Sequence, residues 1–258
     1  MEMRIVLNPM NLNGKNILIT GASAGIGKGI AIFLSKLGAN IIMAARNEER
    51  LKETLNELEP GDHSYYLIDL NNLKEIEVML DTICGDKKKL NGIVHSAGIC
   101  KSSPVQYLKS EDLTNIMSVN FYSFVELIKH FSKRKYNDNG GSIVAISSIS
   151  SKVGARGLTA YCASKGALDS SIKSMALELA PRNIRVNTVA PSMIKTQMYD
   201  GLLNVANNDN FEAELKKRQI LGVGFPDDVA AAAAFLLSDC SRFITGTTLS
   251  VDGGYLAH

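Results

Sequence analysis

The chain has 258 residues, 45% hydrophobic and 21% charged, which is enough apolar content for a large core. Its net charge is only +2 and its most apolar stretch, 229–237, is far shorter than the roughly 20 residues that cross a bilayer, so we expect neither a nucleic acid nor a membrane as partner. The four cysteines are widely spaced, form no CxxC pair and have no histidine cluster beside them, which predicts free thiols, no metal site and a cytoplasmic location.

Short β-branched runs alternate with longer helical patterns along the chain, which is the rhythm of βαβ units. The near-continuous apolar character of the runs predicts strands that are buried on both faces of a parallel sheet. The predicted strands are 16–20, 40–45, 65–69, 92–96, 142–147, 185–190 and 247–251. We therefore expect one α/β domain, residues 1–258, with a doubly wound parallel sheet of about seven strands and helices on both faces.

The first predicted strand leads into a glycine turn formed by Gly21, Gly25 and Gly27, and a helix follows that ends at Gly38. Backbone N–H groups at such a helix start can cradle an anionic pyrophosphate. The spacing is GxxxGxG, which does not match GxGxxG, so a tight structural turn is the alternative interpretation. A phosphate loop of a nucleotide hydrolase is disfavoured, because Gly29 stands where Ser or Thr would bind magnesium.

The end of the second predicted strand bears on the choice between the two nicotinamide dinucleotides. NAD sites place Asp or Glu there to hold the ribose hydroxyls, whereas this chain has Ala44, Ala45 and then Arg46. A guanidinium can pair bidentately with a 2′-phosphate, and Ser23 could add a hydroxyl contact to the same group. A surface charge before the next helix is the alternative interpretation of Arg46. We predict NADP(H) in preference to NAD(H).

Tyr161 and Lys165 lie four residues apart, and Ser148 lies thirteen residues before Tyr161. On a helix, a four-residue step rises about 6 Å and places both side chains on one face. A free tyrosine, with a pKa of about 10, is a poor acid or base at neutral pH, but a neighbouring cation lowers that pKa. We therefore predict that Lys165 lowers the pKa of Tyr161 and that this pair takes part in nucleotide-dependent redox chemistry.

The longest stretch outside the alternating pattern is 193–219, which contains a polar, turn-prone patch at 204–210 between two helical segments. A stretch of that length is often a lid. We therefore expect 193–219 to close over the substrate.

Together these motifs resemble the short-chain dehydrogenase/reductase family, and the resemblance covers nearly the whole chain. It rests on the glycine turn, on Asp69-Leu70, on the run 95–98, and on the ordered spacing of Asn120, Ser148, Tyr161, Lys165 and 191–196. It implies a Rossmann-like fold. The predicted cofactor-binding residues are Gly21, Ser23, Gly25, Ile26, Gly27, Arg46, Asp69, Leu70, Ala97, Gly98, Tyr161, Lys165, Pro191, Ile194 and Thr196.

The resemblance also implies catalytic roles. In that family the residue that matches Tyr161 gives a proton to the substrate carbonyl, or removes it in oxidation, while a hydride moves to or from the nicotinamide. Lys165 would lower the pKa of the phenol and hydrogen-bond the nicotinamide ribose, and Ser148 would orient the carbonyl. Asn120 would hold a water in a proton relay to Lys165.

Two positions depart from the family pattern. The family often has Asn-Asn-Ala-Gly where this chain has His95-Ser96-Ala97-Gly98, and it commonly has glycine where this chain has Ser192. His95 could belong to a proton relay, but a histidine that ends a buried strand is more often a hydrogen-bonded core residue, and we favour that interpretation.

Within the family the chain most resembles 3-oxoacyl-carrier-protein reductases, through the runs 184–187 and 244–254. That resemblance implies a small carbonyl, an alcohol or an acyl-carrier thioester as substrate, and a homotetramer. Arg182 and 133–135 could meet an acyl carrier or could be solvated surface residues. Sugar, steroid and small-alcohol dehydrogenases use the same frame, and a dinucleotide-binding sensor without turnover is a further alternative.

Overall fold

The computed structural model describes residues 8–85, 88–138, 140–206 and 211–257. Its strands form one parallel sheet in the order β3-β2-β1-β4-β5-β6-β7, which confirms the predicted Rossmann-like α/β fold. The strands in this part of the chain are β1 (Asn16–Thr20), β2 (Asn40–Ala45), β3 (Ser64–Leu67), β4 (Gly92–His95), β5 (Gly141–Ile146), β6 (Ile184–Pro191) and β7 (Thr248–Val251).

Helices cover both faces of the sheet. Because successive strand residues face opposite sides, Ile17 and Ile19 of β1 pack in one apolar layer with α1 and α9, whereas Leu18 packs in the other with α3, α5 and α6. The α-helices of the described chain are α1 (Gly25–Lys36), α2 (Glu48–Asn56), α3 (Glu75–Cys84), α4 (Ser110–Met117), α5 (Ser123–Phe131), α6 (Thr159–Leu179), α7 (Gln197–Ala206), α8 (Phe211–Arg218) and α9 (Pro226–Leu237).

The third strand ends earlier than the sequence predicts. We expected it to reach Asp69, but it stops at Leu67. The carboxylate Oδ1 of Asp69 accepts a hydrogen bond of 3.0 Å from the backbone N–H of Asn71, and this local turn competes with the strand ladder. Asp69 therefore lies in the loop beyond the strand.

The predicted lid contains two helices, α7 and α8. Part of the polar patch predicted at 204–210, namely 207–210, lies outside the described residues. The first residues of the segment, from Met193, follow the end of β6, so that the segment begins at the carboxyl edge of the sheet.

Within the described residues, no helix is both long and apolar enough to cross a membrane. The same residues contain no group of three or more His, Cys, Asp or Glu side chains that could hold a metal ion. The four cysteines are free thiols, as predicted.

Candidate active site

A cleft of about 940 Å³ opens at the carboxyl ends of the strands, around the point where β1 and β4 lie side by side. In open parallel sheets this switch point is where ligands bind, and the volume suits a large organic ligand. Asn120 is the one predicted site residue that does not line this cleft. The predicted residues that line it are Gly21, Ser23, Gly25, Ile26, Gly27, Arg46, Asp69, Leu70, Ala97, Gly98, Ser148, Tyr161, Lys165, Pro191, Ile194 and Thr196.

The glycine turn brings the start of α1 into the cleft. Gly21 has φ +70°, and a Cβ there would lie 2.8 Å from the Cα of Ala97. A Cβ on Gly27 would lie 2.3 Å from the carbonyl oxygen of Gly21. Close packing alone therefore requires these two glycines, as the structural interpretation of the turn predicts. The same turn also opens the positive end of the α1 dipole, at Gly25, to an anion.

The loop after β2 makes one end of the cleft basic. Arg46 is exposed and lines the cleft beside Ser23 and Arg50. Arg50, four residues after Arg46 in the first turn of α2, was not predicted as a site residue from the sequence. Among the cleft-lining residues of the described chain, Asp69 is the one carboxylate. This charge balance fits an anionic group such as a phosphate.

The other end of the cleft is formed by α6, which carries Tyr161 and Lys165. The Lys165 Nζ atom lies 5.7 Å from the centre of the Tyr161 ring and donates a 2.7 Å hydrogen bond to the carbonyl oxygen of Ile146, the last residue of β5. The side chain of Lys165 is buried. The ammonium is thus fixed between the sheet and the ring.

The predicted direction of the Tyr161 pKa is wrong. Burial, followed by the Cys100 thiol, raises the pKa of Tyr161 to about 12, although a hydrogen bond with Ser148 acts in the opposite sense. Burial also lowers the pKa of Lys165 to about 8. The low-dielectric surroundings penalise the phenolate more strongly than its neighbours stabilise it. At neutral pH this site therefore holds a protonated phenol beside a cationic ammonium.

Ser148 lies just beyond β5, where its Oγ accepts a 3.1 Å hydrogen bond from the backbone N–H of Ser150. A nearby carboxylate, Asp169, follows Lys165 by one helical turn and was not predicted from the sequence. Asp169 accepts a 2.8 Å hydrogen bond from the Thr188 hydroxyl and favours the charged form of Lys165, so it opposes the lowering of the Lys165 pKa by burial.

Asn120 is fully buried in a π-helical turn between α4 and α5, a local distortion often found at functional sites. Its Nδ2 donates hydrogen bonds to the carbonyl oxygen of Ile99 (3.0 Å) and to the hydroxyl of Ser164 (2.9 Å). Its Oδ1 accepts from the Ile99 N–H at 2.8 Å. These contacts fix the loop after β4. The water relay through Asn120 stays a prediction.

His95 is fully buried at the end of β4. Its Nδ1 lies 3.0 Å from the Thr20 hydroxyl, and that hydroxyl also accepts a 3.2 Å hydrogen bond from the Ala97 N–H. Burial, and secondly the charge of Lys165, lower the pKa of His95 to about 3. A histidine that stays neutral across the physiological range is a structural link between β1 and the loop after β4, the interpretation that the sequence favours.

The segment after β6 contributes an unpaired polar atom. Ser192 Oγ is buried and has no hydrogen-bond partner among the described residues, and Ser192 lines the cleft. A buried hydroxyl without a partner points to a ligand group. Further cleft residues that were not assigned to the site from the sequence include Asn47, Arg50, Ile68, Asn71, Asn115 and Val119.

The family described as Enoyl-(Acyl carrier protein) reductase matches residues 21–256. A 3-oxoacyl-[acyl-carrier-protein] reductase FabG from Rickettsia bellii is 38% identical over 247 residues, which cover 96% of this chain and 99% of that protein. With the fold and the cleft described above, these matches define an oxidoreductase that acts on CH–OH groups. The chain belongs to the short-chain dehydrogenase/reductase family, and 3-oxoacyl-[acyl-carrier-protein] reductases are among the relatives it resembles over nearly its full length.

Two solved structures share the fold. A structure from Beutenbergia cavernae, with NADP bound at low occupancy, has a TM-score of 0.88 and 28% identity, covering 97% of this chain and 100% of that chain. A 7α-hydroxysteroid dehydrogenase in complex with NADH and 7-oxo glycochenodeoxycholic acid has a TM-score of 0.89 and 28% identity, covering 95% and 96%. Since these two proteins hold different dinucleotides, the choice of cofactor depends on individual residues.

Proposed function

We propose that this protein is an NADP(H)-dependent reductase of 3-oxoacyl thioesters attached to an acyl carrier. The observation that carries the proposal is that one cleft has two different ends. Ser148, Tyr161 and Lys165 lie at one end, and Arg46 and Ser23 lie at the other. The name of the Rickettsia bellii relative supports the choice of substrate. Sugar, steroid and other small carbonyl compounds are the alternative substrates, which the hydroxysteroid dehydrogenase neighbour illustrates.

The cleft residues fit a dinucleotide because its phosphates would meet the start of α1 and a basic loop. Arg46, Arg50 and Ser23 would hold the 2′-phosphate, and Asp69 would contact the adenine. At the other end of the cleft, Lys165 of α6 would bind the nicotinamide ribose. The residues that would hold the nicotinamide end are Tyr161, Lys165, Pro191, Ser192, Ile194 and Thr196. When bound, the reduced nicotinamide supplies a hydride.

Side chains of the protein would supply the proton that the reduced carbonyl takes up. Tyr161 is protonated at neutral pH, since its pKa is raised to about 12, and a phenol that keeps its proton can donate it to a carbonyl oxygen as negative charge develops there. The Ser148 Oγ accepts from the Ser150 N–H and the hydroxyl also bonds Tyr161, so its hydrogen would turn from the phenol to the same carbonyl oxygen when substrate binds. Lys165 would stabilise the phenolate left behind. The use of a phosphorylated cofactor favours reduction as the working direction.

The segment 193–219 would act as the substrate lid of a single domain. Exposed apolar residues lie in it and just beyond it, namely Met198, Ile220 and Leu221, and Met198 also lines the cleft. An apolar side chain in the cleft, with further apolar surface just beyond the segment, suits an acyl chain better than a sugar, and this favours the thioester over the polar alternatives.

A homotetramer in the cytoplasm completes the proposal, by family resemblance. Phe243, which is 96% exposed, and Leu249 on the outermost strand β7 are apolar surface residues that a second copy of the chain could cover. Light scattering at micromolar concentration measures the assembly, and a monomer would contradict this part of the proposal.

The substrate is tested by following NADPH absorbance with a panel of 3-oxoacyl thioesters on acyl carrier protein and on coenzyme A, an enoyl thioester, a keto sugar and a keto steroid. We expect the 3-oxoacyl carrier thioester to have the highest kcat/KM. The Tyr161→Phe variant should lose turnover, and Tyr107→Phe, at an exposed phenol, is the matched control. Highest kcat/KM on a sugar or steroid would refute the substrate, and full turnover by Tyr161→Phe would refute the proton donor.

A further inference from the structure

Gln219, the residue after α8, is only 1% exposed although its side chain is a polar amide. Its Nε2 donates hydrogen bonds to the carbonyl oxygens of Met193 (3.0 Å) and Gly222 (2.6 Å). Its Oε1 accepts a 3.2 Å hydrogen bond from the Met193 N–H. The amide is therefore paired with both backbone groups of one residue, Met193, in the way that a neighbouring strand would be.

Met193 lies where the chain leaves β6 and enters the cleft wall, between Ser192 and Ile194. Its carbonyl oxygen also accepts from the Gly224 N–H at 3.1 Å, and Ile194 forms an isolated parallel bridge with Gly224. Gln219 thus completes a small set of strand-like bonds around the backbone of 193–194. That backbone belongs to the segment proposed to face the nicotinamide.

The position of the Gln219 side chain is fixed from a third direction. Gly253 has φ +58°, and a Cβ there would lie 2.8 Å from the Cγ of Gln219. The Leu221 N–H donates a 3.1 Å hydrogen bond to the Gly253 carbonyl oxygen. Gln219 therefore joins the segments that follow β6, α8 and β7, and its amide has little freedom to turn away from Met193.

We propose that Gln219 is a positioning residue for the nicotinamide end of the cofactor. It holds the backbone of 193–194 in a fixed shape before the ligand arrives, and a backbone already in its bound shape costs less to order on binding. This inference rests on the proposed dinucleotide site. The basic end at Arg46 lies across the switch point, on the β2 side of the sheet, and does not depend on Gln219.

Two variants separate the amide chemistry from side-chain volume. Gln219→Met keeps the length of the side chain but removes its donors and its acceptor, which leaves the Met193 N–H unpaired. Gln219→Glu keeps the shape but turns a carboxylate towards the carbonyl oxygens of Met193 and Gly222. Gln106→Met, at an exposed glutamine in the short turn Val105–Tyr107, is the matched control.

The test compares two ligands by titration calorimetry: NADPH and 2′-phospho-ADP-ribose, which has the phosphates but lacks the nicotinamide. We expect both Gln219 variants to weaken NADPH binding by about tenfold, which is the effect of one lost hydrogen bond to a buried group, and to leave binding of the fragment unchanged. The Gln106→Met variant should bind both ligands as the unsubstituted protein does. Unchanged NADPH affinity, or equal loss for both ligands, would overturn the inference.

Folding is checked by circular dichroism on each variant. Should Gln219→Met or Gln219→Glu not fold, Gln219→Asn replaces it, because the same amide one methylene shorter cannot reach both groups of Met193; the same ligand comparison then decides the inference. Binding of NADPH by the unsubstituted protein separates a failure of the proposed function from a failure of this inference. If the unsubstituted protein does not bind NADPH, the proposed function is wrong. If it binds NADPH and the Gln219 variants bind it equally well, only the role of Gln219 is wrong.

Discussion

The two ends of the cleft differ most in how deeply their charges are buried. Lys165 is 4% exposed and its ammonium is bonded to the Ile146 carbonyl, whereas Arg46 is exposed to solvent. A buried charge is strongly coupled to its surroundings, so the pKa values of Tyr161 and Lys165 shift by two units or more. An exposed charge is screened by water and salt. Substitutions at the buried end should therefore change the chemistry most, and those at the exposed end should change cofactor binding.

The strongest test of this comparison is Lys165→Met. We expect kcat to fall by about 10²- to 10⁴-fold, the usual contribution of proton-transfer groups, because the phenolate would lose its cation. The free energy of unfolding should not fall. Burial of the charged ammonium, which lowers the pKa of Lys165 from 10.5 to about 8, costs the folded state about 3 kcal/mol. The variant removes this cost, which offsets the lost hydrogen bond to the Ile146 carbonyl. Urea unfolding and steady-state kinetics measure the two effects.

Lys173→Met, two helical turns further along α6 at an exposed position, is the matched control and should leave both quantities near the unsubstituted values. Strong destabilisation by Lys165→Met alone would show that the ammonium is needed for folding, and would contradict the account of a charge whose burial is costly.

At the exposed end, Arg46→Glu should reverse the preference between the two cofactors. A guanidinium that pairs with a phosphate is worth roughly 1.5–3 kcal/mol, so we expect the ratio of kcat/KM for NADPH to that for NADH to fall by about 10- to 100-fold. The free energy of unfolding should stay the same, because the side chain is exposed. An unchanged ratio would show that Arg46 is only a surface charge, and Arg50→Glu would then test the neighbouring guanidinium.

The two ends should also differ in their response to pH. Because the pKa of Lys165 is lowered to about 8, the reductive kcat/KM should be flat near neutrality and then fall about tenfold per pH unit above 8, as the ammonium loses its proton. Binding of adenosine 2′,5′-bisphosphate, which lacks the nicotinamide ribose and reaches only the arginine end, should stay constant from pH 7 to about 9. A rate that stays flat beyond pH 9 would show that the charge of Lys165 does not assist proton transfer.

His95, which is as buried as Lys165, should make stability itself depend on pH. Its pKa is lowered to about 3, so between the ordinary histidine pKa of 6.5 and that value the unfolded chain binds a proton that the folded chain does not. Stability from this group is present above pH 6.5 and is lost by about 1.4 kcal/mol per unit as the pH falls towards 3. The His95→Asn variant should lose less stability between pH 7 and 5 in urea unfolding; equal losses would contradict the assignment.

The sequence predicts the sheet well because each strand is a local apolar run between turn residues. Predicted strand ends differ from observed ones by at most two residues, and the largest difference, at β3, arises from the Asp69 turn. The glycine turn could also be predicted from the sequence, because its residues lie close together along the chain. Arg50 and Asp169 were missed although each lies four residues after a predicted site residue, because closeness in sequence alone does not show which side chains reach a site.

The direction of the Tyr161 pKa could not be predicted from the sequence. The four-residue spacing correctly places a lysine near the ring, but the dielectric around the phenol depends on chain segments far apart in sequence, including the loop that carries Cys100. The bonds of Gln219 to Met193 were equally hidden, because Met193 is 26 residues away in sequence and only the fold brings it to the end of α8.

The strand order places the two ends of the cleft on different groups of strands. β1, β2 and β3 with their loops supply the basic end, while β4, β5 and β6 with α6 supply the end that carries Ser148, Tyr161 and Lys165; the two groups are joined by the pairing of β1 with β4 and by the packing of α1 on α9. Changes at distant, independent positions combine nearly additively. Exchange of the loops that follow β1, β2 and β3 should therefore change which dinucleotide the protein prefers. The residues that would contact the substrate carbonyl, on the other group of strands, would stay the same.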